Sequence, residues 1–299
     1  MHPRGRRRIP VAALLAALLA AGCGASEPEF PAAFRIAFAL DRGGGDRDIH
    51  LLESAGGEPV RVAPDPAYDE TPAFSADGFD LLFASERGGV VKGLYLWSEG
   101  RLDKACTAPY LDSAPCWSPD GRRIAVMSNR DQNWEIYTMS PKGIEDERLT
   151  FHPKQDTWPA WSPDGKSIAF VSDRGASEDL YVMDADGKNL RALTADRRWD
   201  GRPAWSPDGK RIAWSSERDG KAAVFVMNAD GTGVRRLTPL DYESDDPCWS
   251  PDGRWIAFVS TKDGTRELYA MRGDGSGMRR LTALSAMVHT PAWGRVAGR

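Results

Sequence analysis

The chain has 299 residues, of which 41% are hydrophobic and 27% are charged. This balance argues against a disordered chain and against an integral membrane protein. The formal net charge is −4, and the first 22 residues contribute four arginines and no acidic residue, so the remainder is more acidic by those four charges. We therefore do not expect it to bind nucleic acid.

The N-terminus predicts a secretory signal followed by a lipid anchor. A basic stretch precedes an apolar stretch at residues 11–21, which is too short to span a bilayer. Residues 19–23, Leu-Ala-Ala-Gly-Cys, resemble a bacterial lipobox, in which the cysteine becomes the lipidated N-terminus. We expect a signal peptide over 1–22, lipidation at Cys23, a tether over 23–33 and a periplasmic protein, with the outer membrane favoured. Ordinary cleavage beside an incidental cysteine is the alternative.

A repeat occupies the rest of the chain. A proline recurs at spacings of 43 or 44 residues, an aromatic residue follows it by two positions, and an apolar column keeps the same register. A fixed period of this length is typical of repeat proteins. The prolines are Pro72, Pro115, Pro159, Pro203, Pro247 and Pro291, and the aromatics are Phe74, Trp117, Trp161, Trp205, Trp249 and Trp293.

Each unit contains four short apolar runs separated by turn residues. In the fourth unit the predicted strands are 159–162, 168–172, 180–183 and 190–194. The first two runs are joined by Ser-Pro-Asp-Gly, where proline presets φ and glycine accepts the positive φ that closes the hairpin. Asp-Gly pairs mark the later hairpin. A four-stranded antiparallel unit of this length predicts a propeller blade.

The two ends of the chain complement each other. The second-strand pattern first appears at residues 34–38 with no first strand before it, whereas residues 290–294 form a first strand with nothing after it. We predict an all-β, six-bladed propeller over 34–294, closed by the C-terminal strand joining the N-terminal blade, with a tail at 295–299. We expect a single domain and a monomer.

The repeat resembles a known family. The pattern Pro-x-Trp-Ser-Pro-Asp-Gly-x-x-Ile-Ala-Phe-x-Ser, with Arg-Leu-Thr at 148–150, 236–238 and 280–282, is similar to the six-bladed propellers of TolB-like periplasmic proteins over about residues 34–294. The resemblance implies a binding role in the cell envelope, with a protein or peptide partner such as a peptidoglycan-associated one. TolB itself has an α/β domain ahead of its propeller, for which we expect no room in this chain.

Two charged columns flank the first and second strands of the units. The acidic column precedes each repeat proline by three residues and is Asp69, Asp112, Asp156 and Asp200, then Ser244 and Val288. The basic column follows the second strand and is Arg42, Arg87, Arg130, Arg174, Arg218 and Lys262. Antiparallel order predicts that both columns surround the same channel mouth. Either each aspartate holds its loop by pairing with an arginine, or the charged ring also receives a ligand.

The loops before the first strands differ between blades, and such variation is where propellers place binding sites. We predict that the binding residues are Asp69, Asp112, Asp156, Trp158, Trp199, Asp200, Arg202, Asp246 and His289. The alternative is that the loop aromatics pack on their own blades.

No hydrolase elbow, metalloprotease motif or phosphate-binding loop is present in the sequence. We therefore expect a non-catalytic scaffold, without cofactor or metal, that recognises a protein segment or an envelope polymer and meets the membrane through its lipid alone. The alternative is a carbohydrate- or lactone-directed lyase or hydrolase with a metal held by channel carboxylates.

Three further cysteines occupy core columns. Cys116 and Cys248 lie three repeats apart, so a closed ring of six places them on opposite sides of the axis. Cys106 takes the place of a leucine in other repeats. We interpret all three as small buried apolar residues, with a Cys106–Cys116 disulfide as the alternative.

Overall fold

The computed structural model describes residues 29–89, 92–106 and 110–296. The chain divides into two compact units, 1–32 and 33–299, and the second contains the strands. The predicted signal peptide, Cys23 and most of the predicted tether lie outside the described residues. Within the described ranges there is no helix with the length and apolar character needed to cross a membrane.

The strands form six four-stranded antiparallel sheets, so the prediction of a six-bladed all-β propeller is confirmed. Blade 1 has the order β24-β1-β2-β3 and combines both ends of the strand sequence: β1 (Arg35–Asp41), β2 (Arg47–Leu52), β3 (Val60–Arg61) and β24 (Met287–Gly294). Blade 2 contains β4 (Asp69–Phe74), β5 (Leu81–Ser85), β6 (Gly93–Ser98) and β7 (Arg101–Lys104). Blade 3 contains β8 (Asp112–Trp117), β9 (Ile124–Ser128), β10 (Glu135–Met139) and β11 (Glu147–Arg148).

The remaining three blades follow in chain order. Blade 4 contains β12 (Asp156–Trp161), β13 (Ser167–Ser172), β14 (Asp179–Asp184) and β15 (Arg191–Ala192). Blade 5 contains β16 (Asp200–Trp205), β17 (Arg211–Ser216), β18 (Ala223–Asn228) and β19 (Arg235–Arg236). Blade 6 contains β20 (Ser244–Trp249), β21 (Trp255–Ser260), β22 (Glu267–Arg272) and β23 (Arg279–Arg280).

The strand bounds in blade 4 differ from the prediction at both edges of the sheet. Strand β12 begins three residues earlier than predicted because its pairing with β13 contains a β-bulge between Thr157 and Ala160, which interrupts the alternation of apolar residues. Strand β15 has two residues instead of five, since the outer strand pairs on one side alone.

The Ser-Pro-Asp-Gly turn closes the first hairpin as predicted. In blade 4, Ser162 Oγ donates to Asp164 Oδ1 at 2.6 Å, and the Gly165 N–H donates to the Ser162 carbonyl at 2.9 Å. Gly165 has a φ of +72°, a value that favours glycine. We call the face that carries these turns the turn face, and the opposite face, on which the first strands begin, the mouth face.

The signature tryptophans connect successive blades. The indole Nε1–H of Trp205 donates to the Ala160 carbonyl of the preceding blade at 3.1 Å, and Trp249 donates to Ala204 at 3.2 Å. Trp117 makes the same bond to Ala73 at 3.1 Å. At these three positions the repeated tryptophan therefore fixes the innermost strand of its blade to the innermost strand of the preceding one.

Close contact between blades also explains the later Asp-Gly hairpin. Gly187 has a φ of +81°, and a Cβ atom on it would lie 2.8 Å from the Leu149 carbonyl oxygen of the preceding blade. In the other direction, Arg191 Nη1 donates to the Asp230 carbonyl in the corresponding hairpin of blade 5 at 3.2 Å. The hairpin glycine is thus required both by its backbone conformation and by the space between blades.

The ring closes as predicted. Strand β24 pairs with β1 through partners that include Ala292 with Ala37 and Val288 with Leu40. The rings of Trp293 and Phe34 lie 5.9 Å apart. The last first strand of the chain therefore completes the blade begun at its start, and the propeller has no open sheet edge at this seam.

The cysteines of the described residues are thiols, so the alternative disulfide between Cys106 and Cys116 is absent from the structure. Cys106 Sγ donates to an Asp112 carboxylate oxygen at 3.2 Å, whereas Cys116 Sγ accepts the Trp161 N–H at 3.3 Å. Burial raises the pKa of the Cys116 thiol to about 11.

Candidate functional site

The acidic and basic columns form buried ion pairs at the mouth face. Arg174 Nη2 lies 2.6 Å from Asp156 Oδ2, and Arg174 Nε donates to the intervening Ser172 Oγ at 2.8 Å. The same arrangement recurs in three other blades, with arginine–aspartate distances of 2.5 Å for Arg87–Asp69, 3.2 Å for Arg130–Asp112 and 2.8 Å for Arg218–Asp200. In these four blades each aspartate of the acidic column therefore pairs with an arginine of the basic column, which is the first of the two alternatives.

The four aspartates are at most 1% exposed. Burial raises the pKa of Asp69 to about 6 even though Ser85 and Arg87 donate to its carboxylate. Their geometry assigns Asp69, Asp112, Asp156 and Asp200 to holding the loops of the mouth, and direct ligand binding by them stays a prediction. Where the column is broken in blade 6, Ser244 Oγ and Ser260 Oγ bond at 3.1 Å instead.

The residue directly before each repeat proline lies in the channel. Six such residues, one per blade, have positive φ values between +45° and +57° and line one cavity of about 130 Å³ together with their prolines. We call these six residues the channel ring. They are Thr71, Ala114, Trp158, Arg202, Asp246 and Thr290.

This conformation is uncommon for residues other than glycine and is an outlier for threonine. Its repetition in all six blades is explained by the bulge that each first strand carries beside its proline, as between Gly201 and Ala204 in blade 5. The bulge directs a side chain of any type into the channel. The backbone of the ring is therefore uniform while its chemistry differs from blade to blade.

Three of the predicted binding residues are neighbours in this ring. The Arg202 guanidinium carbon lies 4.1 Å from the centroid of the Trp158 ring, and its Nη1 lies 2.5 Å from Asp246 Oδ1. The Thr290 N–H donates to Asp246 Oδ2 at 2.9 Å. Sequence reasoning selected Trp158, Arg202 and Asp246 but missed Thr71, Ala114 and Thr290. Their fixed position before the proline would have identified them.

A second group of charged side chains is formed in blades 1, 2 and 6 by the residue one position nearer the start of the first strand and by its basic neighbours. In blade 6, Arg266 makes two bonds to Asp245, at 2.9 and 2.8 Å. In blade 2, Lys92 Nζ lies 2.7 Å from Glu70 Oε1. We call this group, Glu70, Lys92, Asp245, Arg266, His289 and Arg47, the charged layer.

Two groups of the charged layer have displaced pKa values. Burial raises the pKa of Asp245 to about 6, and the adjacent Asp246 charge adds to this. Burial, with Arg47 and Arg266 nearby, lowers the pKa of His289 to about 4. His289 is therefore neutral at pH 7, and its Nε2 lies 3.4 Å from Arg47 Nη2. The structure thus brings His289 beside the ring, and a binding role for this residue stays a prediction.

Trp199 is half-buried and packs on its own blade. A Cβ atom added to Gly201 would lie 2.3 Å from Trp199 Cζ2, so the indole covers this glycine. Tyr68, in the loop before β4, packs instead across blades, with the guanidinium carbon of Arg47 in β2 4.5 Å from its ring centroid. Packing on the same blade therefore describes Trp199, and a binding role for Trp199 stays a prediction.

One group of carboxylates has metal-type proximity among the described residues. Oxygens of Asp179, Asp196 and Asp200 lie within 4.8 Å of one another. However, Arg218 Nη2 lies 2.8 Å from both Asp196 and Asp200, so a cationic side chain already compensates this acidic group. In the channel ring, the two oxygens of Asp246 are engaged by Arg202 and Thr290.

Comparisons with known proteins agree with this architecture. Residues 94–294 match the family model described as the TolB beta propeller domain. The Tol-Pal system protein TolB of Desulfosudis oleivorans is 32% identical over 118 residues, which are 39% of this chain, and the match spans about a quarter (26%) of that relative's length. The crystal structure of TolB from Acinetobacter baumannii superposes with a TM-score of 0.76 at 26% identity, covering 87% of this chain and 66% of that one. An oligogalacturonate lyase from Vibrio parahaemolyticus shares the fold with a TM-score of 0.55 at 16% identity, covering 84% of this chain and 73% of that one.

Proposed function

Because the chain belongs to the TolB beta propeller domain family, we propose that it is a non-catalytic binding scaffold of the bacterial cell envelope. Its mouth face recognises a segment of another envelope protein. The protein acts in the periplasm as a monomer, held to a membrane through lipid on Cys23, with the outer membrane favoured. A relative is named as a Tol-Pal system protein, and this supports an envelope partner for the present chain.

The channel ring is the observation that carries the proposal. Six positions share one uncommon backbone conformation but carry five types of side chain, and three neighbours present an aromatic ring, a cation and an anion together. A feature that served the blade alone would repeat its side chain as well as its backbone. Aromatic and arginine side chains grouped at a concave site are typical anchors in protein recognition.

The mouth around the ring has the composition of a binding rim. Ion pairs of the charged layer, Asp245 with Arg266 in blade 6 and Glu70 with Lys92 in blade 2, lie at the same mouth as the aromatic and arginine centre of blades 4 and 5. An apolar or aromatic centre with a polar rim is the usual organisation of a protein interface. The partner segment therefore lies across the mouth and contacts several blades.

Site-specific photocrosslinking in the bacterial host tests the proposal. A photoreactive residue is placed at Arg198, which is exposed in the loop that enters blade 5 from the mouth face. The matched control is Lys210, which is exposed in the turn of the same blade on the opposite face. We expect a discrete protein adduct from position 198 and none from position 210. Equal crosslinking from the two positions would refute recognition at the mouth, and an adduct with glycan instead of protein would point to an envelope polymer.

The metal-assisted lyase or hydrolase is not favoured by the site. The carboxylate of the channel ring is engaged by Arg202 and Thr290, and the Asp179 group contains the Arg218 guanidinium. Likeness to the lyase at 16% identity concerns the fold alone.

A further inference from the structure

We propose that the channel ring binds a carboxylate group of the partner, supplied by an acidic side chain or by a chain terminus. The inference rests on the proposed function, because it names the chemical group through which the partner enters the channel. Arg202 is the residue that receives the carboxylate, and Thr290 supplies a second donor.

The two charges of the ring differ in their exposure. The Arg202 side chain is 28% exposed, whereas the Asp246 side chain is 3% exposed. Asp246 has one oxygen beside Arg202 and the other bonded to the Thr290 N–H at 2.9 Å. A ligand that enters the cavity therefore meets the guanidinium first, and the anion beneath it compensates charge without offering a free oxygen.

The ring also contains a donor that lacks an acceptor. Thr290 Oγ1 is buried without a hydrogen-bond partner among the described groups, whereas Arg202 Nη1 lies 2.5 Å from Asp246 Oδ1. A buried polar atom without a partner is costly. Because an arginine has five donors in a planar fork, Arg202 can keep its contact with Asp246 and still receive a second carboxylate.

The shape of the cavity supports a side chain or terminus as the ligand group. Thr71 and Ala114 give the ring small side chains in blades 2 and 3, and the large side chains Trp158 and Arg202 lie in blades 4 and 5. The cavity that these side chains line has a volume of about 130 Å³, which suits a single side-chain carboxylate or a chain terminus.

The carboxylates of the charged layer do not cancel the positive charge that Arg202 presents to a ligand in the channel ring. Its carboxylates are already paired, Asp245 with Arg266 at 2.8 Å and Glu70 with Lys92 at 2.7 Å. His289 is neutral at pH 7, because burial lowers its pKa to about 4. The exposed part of Arg202 is thus the charge that a ligand group meets inside the ring.

Binding of short peptides to the purified full-length protein tests the inference. The probes are capped pentapeptides of glycine with Glu, Gln or Lys at the centre, and pentaglycine with a free C-terminal carboxylate. By isothermal titration we expect the Glu peptide, the free-carboxylate peptide or both to bind about 10-fold more tightly than the Gln peptide. The comparison between those two identifies the source of the carboxylate. Preference for the Lys peptide, or equal binding of all four, would overturn the inference.

Substitutions distinguish binding of the carboxylate by Arg202 from a general attraction between the peptide and the charges of the protein. Arg202→Gln should abolish the 10-fold preference, whereas Arg198→Gln removes an exposed arginine of the same blade outside the ring and should preserve it. Since Arg202→Gln alone leaves Asp246 buried without its ion pair, the neutral pair Arg202→Gln with Asp246→Asn is measured as well.

Loss of the preference in Arg198→Gln to the same extent, or its persistence in both ring variants, would overturn the assignment to Arg202. If the position-198 adduct forms while no peptide is preferred, this inference fails and the proposed function stands; if neither is seen, both fail.

Discussion

The guanidinium carbon of Arg202 lies 4.1 Å from the centroid of the Trp158 ring. The two residues are 44 positions apart and occupy the same place in blades 5 and 4, with φ values of +57° and +52°. The repeated bulge directs both side chains into the channel, where residues from successive blades become neighbours. Residues that differ between blades at this one position of the repeat therefore lie side by side and line the same cavity.

The contact between Trp158 and Arg202 should be measurable as a coupling energy. In an Asp246→Asn background, we expect a double-mutant cycle of Trp158→Leu and Arg202→Met to give a coupling of about 1 kcal/mol in the free energy of unfolding. Urea denaturation provides the measurement. The comparison pair is Arg148 and Phe151, 4.8 Å apart with Phe151 74% exposed, for which a smaller coupling is expected because solvent surrounds it. No coupling between Trp158 and Arg202 would contradict the geometry.

The inter-blade bond of the signature tryptophans can be isolated by comparing two of them. Trp205→Phe removes the Nε1–H bond to the Ala160 carbonyl, whereas Trp161 has a buried Nε1 without a hydrogen-bond partner among the described residues. Both substitutions remove a similar apolar area. We expect Trp205→Phe to lower the free energy of unfolding by about 1–2 kcal/mol more than Trp161→Phe does. Equal losses in chemical denaturation would remove the hydrogen bond as a source of stability.

His50 should contribute a loss of stability as the pH decreases from 7 to 4. This residue is 1% exposed, and burial lowers its pKa to about 4, with Arg42 adding to the effect. Between about pH 6.5 and about pH 4, His50 is therefore protonated in the unfolded chain and neutral in the folded chain. Its contribution to stability is fully present above about pH 6.5 and is lost as the pH falls from about 6.5 to about 4.

His50→Phe should remove this part of the pH dependence, since blade 5 has Phe225 at the equivalent position. Between pH 7 and pH 4 we expect the variant to lose less stability than the parent, by on the order of 3 kcal/mol. His289 and Asp69 are unchanged in both proteins, so their contributions cancel. Parallel stability profiles of the two proteins would show that His50 does not titrate in this range.

Removal of residues 288–299 should destabilise the whole propeller, because it deletes most of the innermost strand of blade 1. We expect the melting temperature to fall by at least about 10 °C, as for a loss of several kcal/mol in a chain of this size. Circular dichroism melting is the measurement, and a chain that lacks residues 297–299 alone is the length control. An unchanged melting temperature after the longer deletion would contradict closure by β24.

Much of the fold could be predicted because each of its signals is local and repeated. The spacing of the prolines gave the number of blades, and the incomplete units at residues 34 and 294 gave the closure. Antiparallel order also predicted that Asp156 and Arg174 lie at the same mouth, since the start of one strand faces the end of the next, whereas their ion pair was one of two alternatives. The start of β12 differs from the prediction because a bulge breaks the alternation of apolar and polar residues from which strand boundaries are inferred.

The sequence by itself determined the six-bladed propeller, its closure and the face that carries the variable loops, because turn chemistry and strand alternation act over a few residues and recur from blade to blade. The tertiary structure alone decided that Trp158, Arg202, Asp246 and Thr290 form one arc of the channel, while Trp199 packs on Gly201. The physical reason is that the direction of these side chains depends on a positive φ at the bulge and on contacts between blades 44 residues apart, and neither is a local property of the chain.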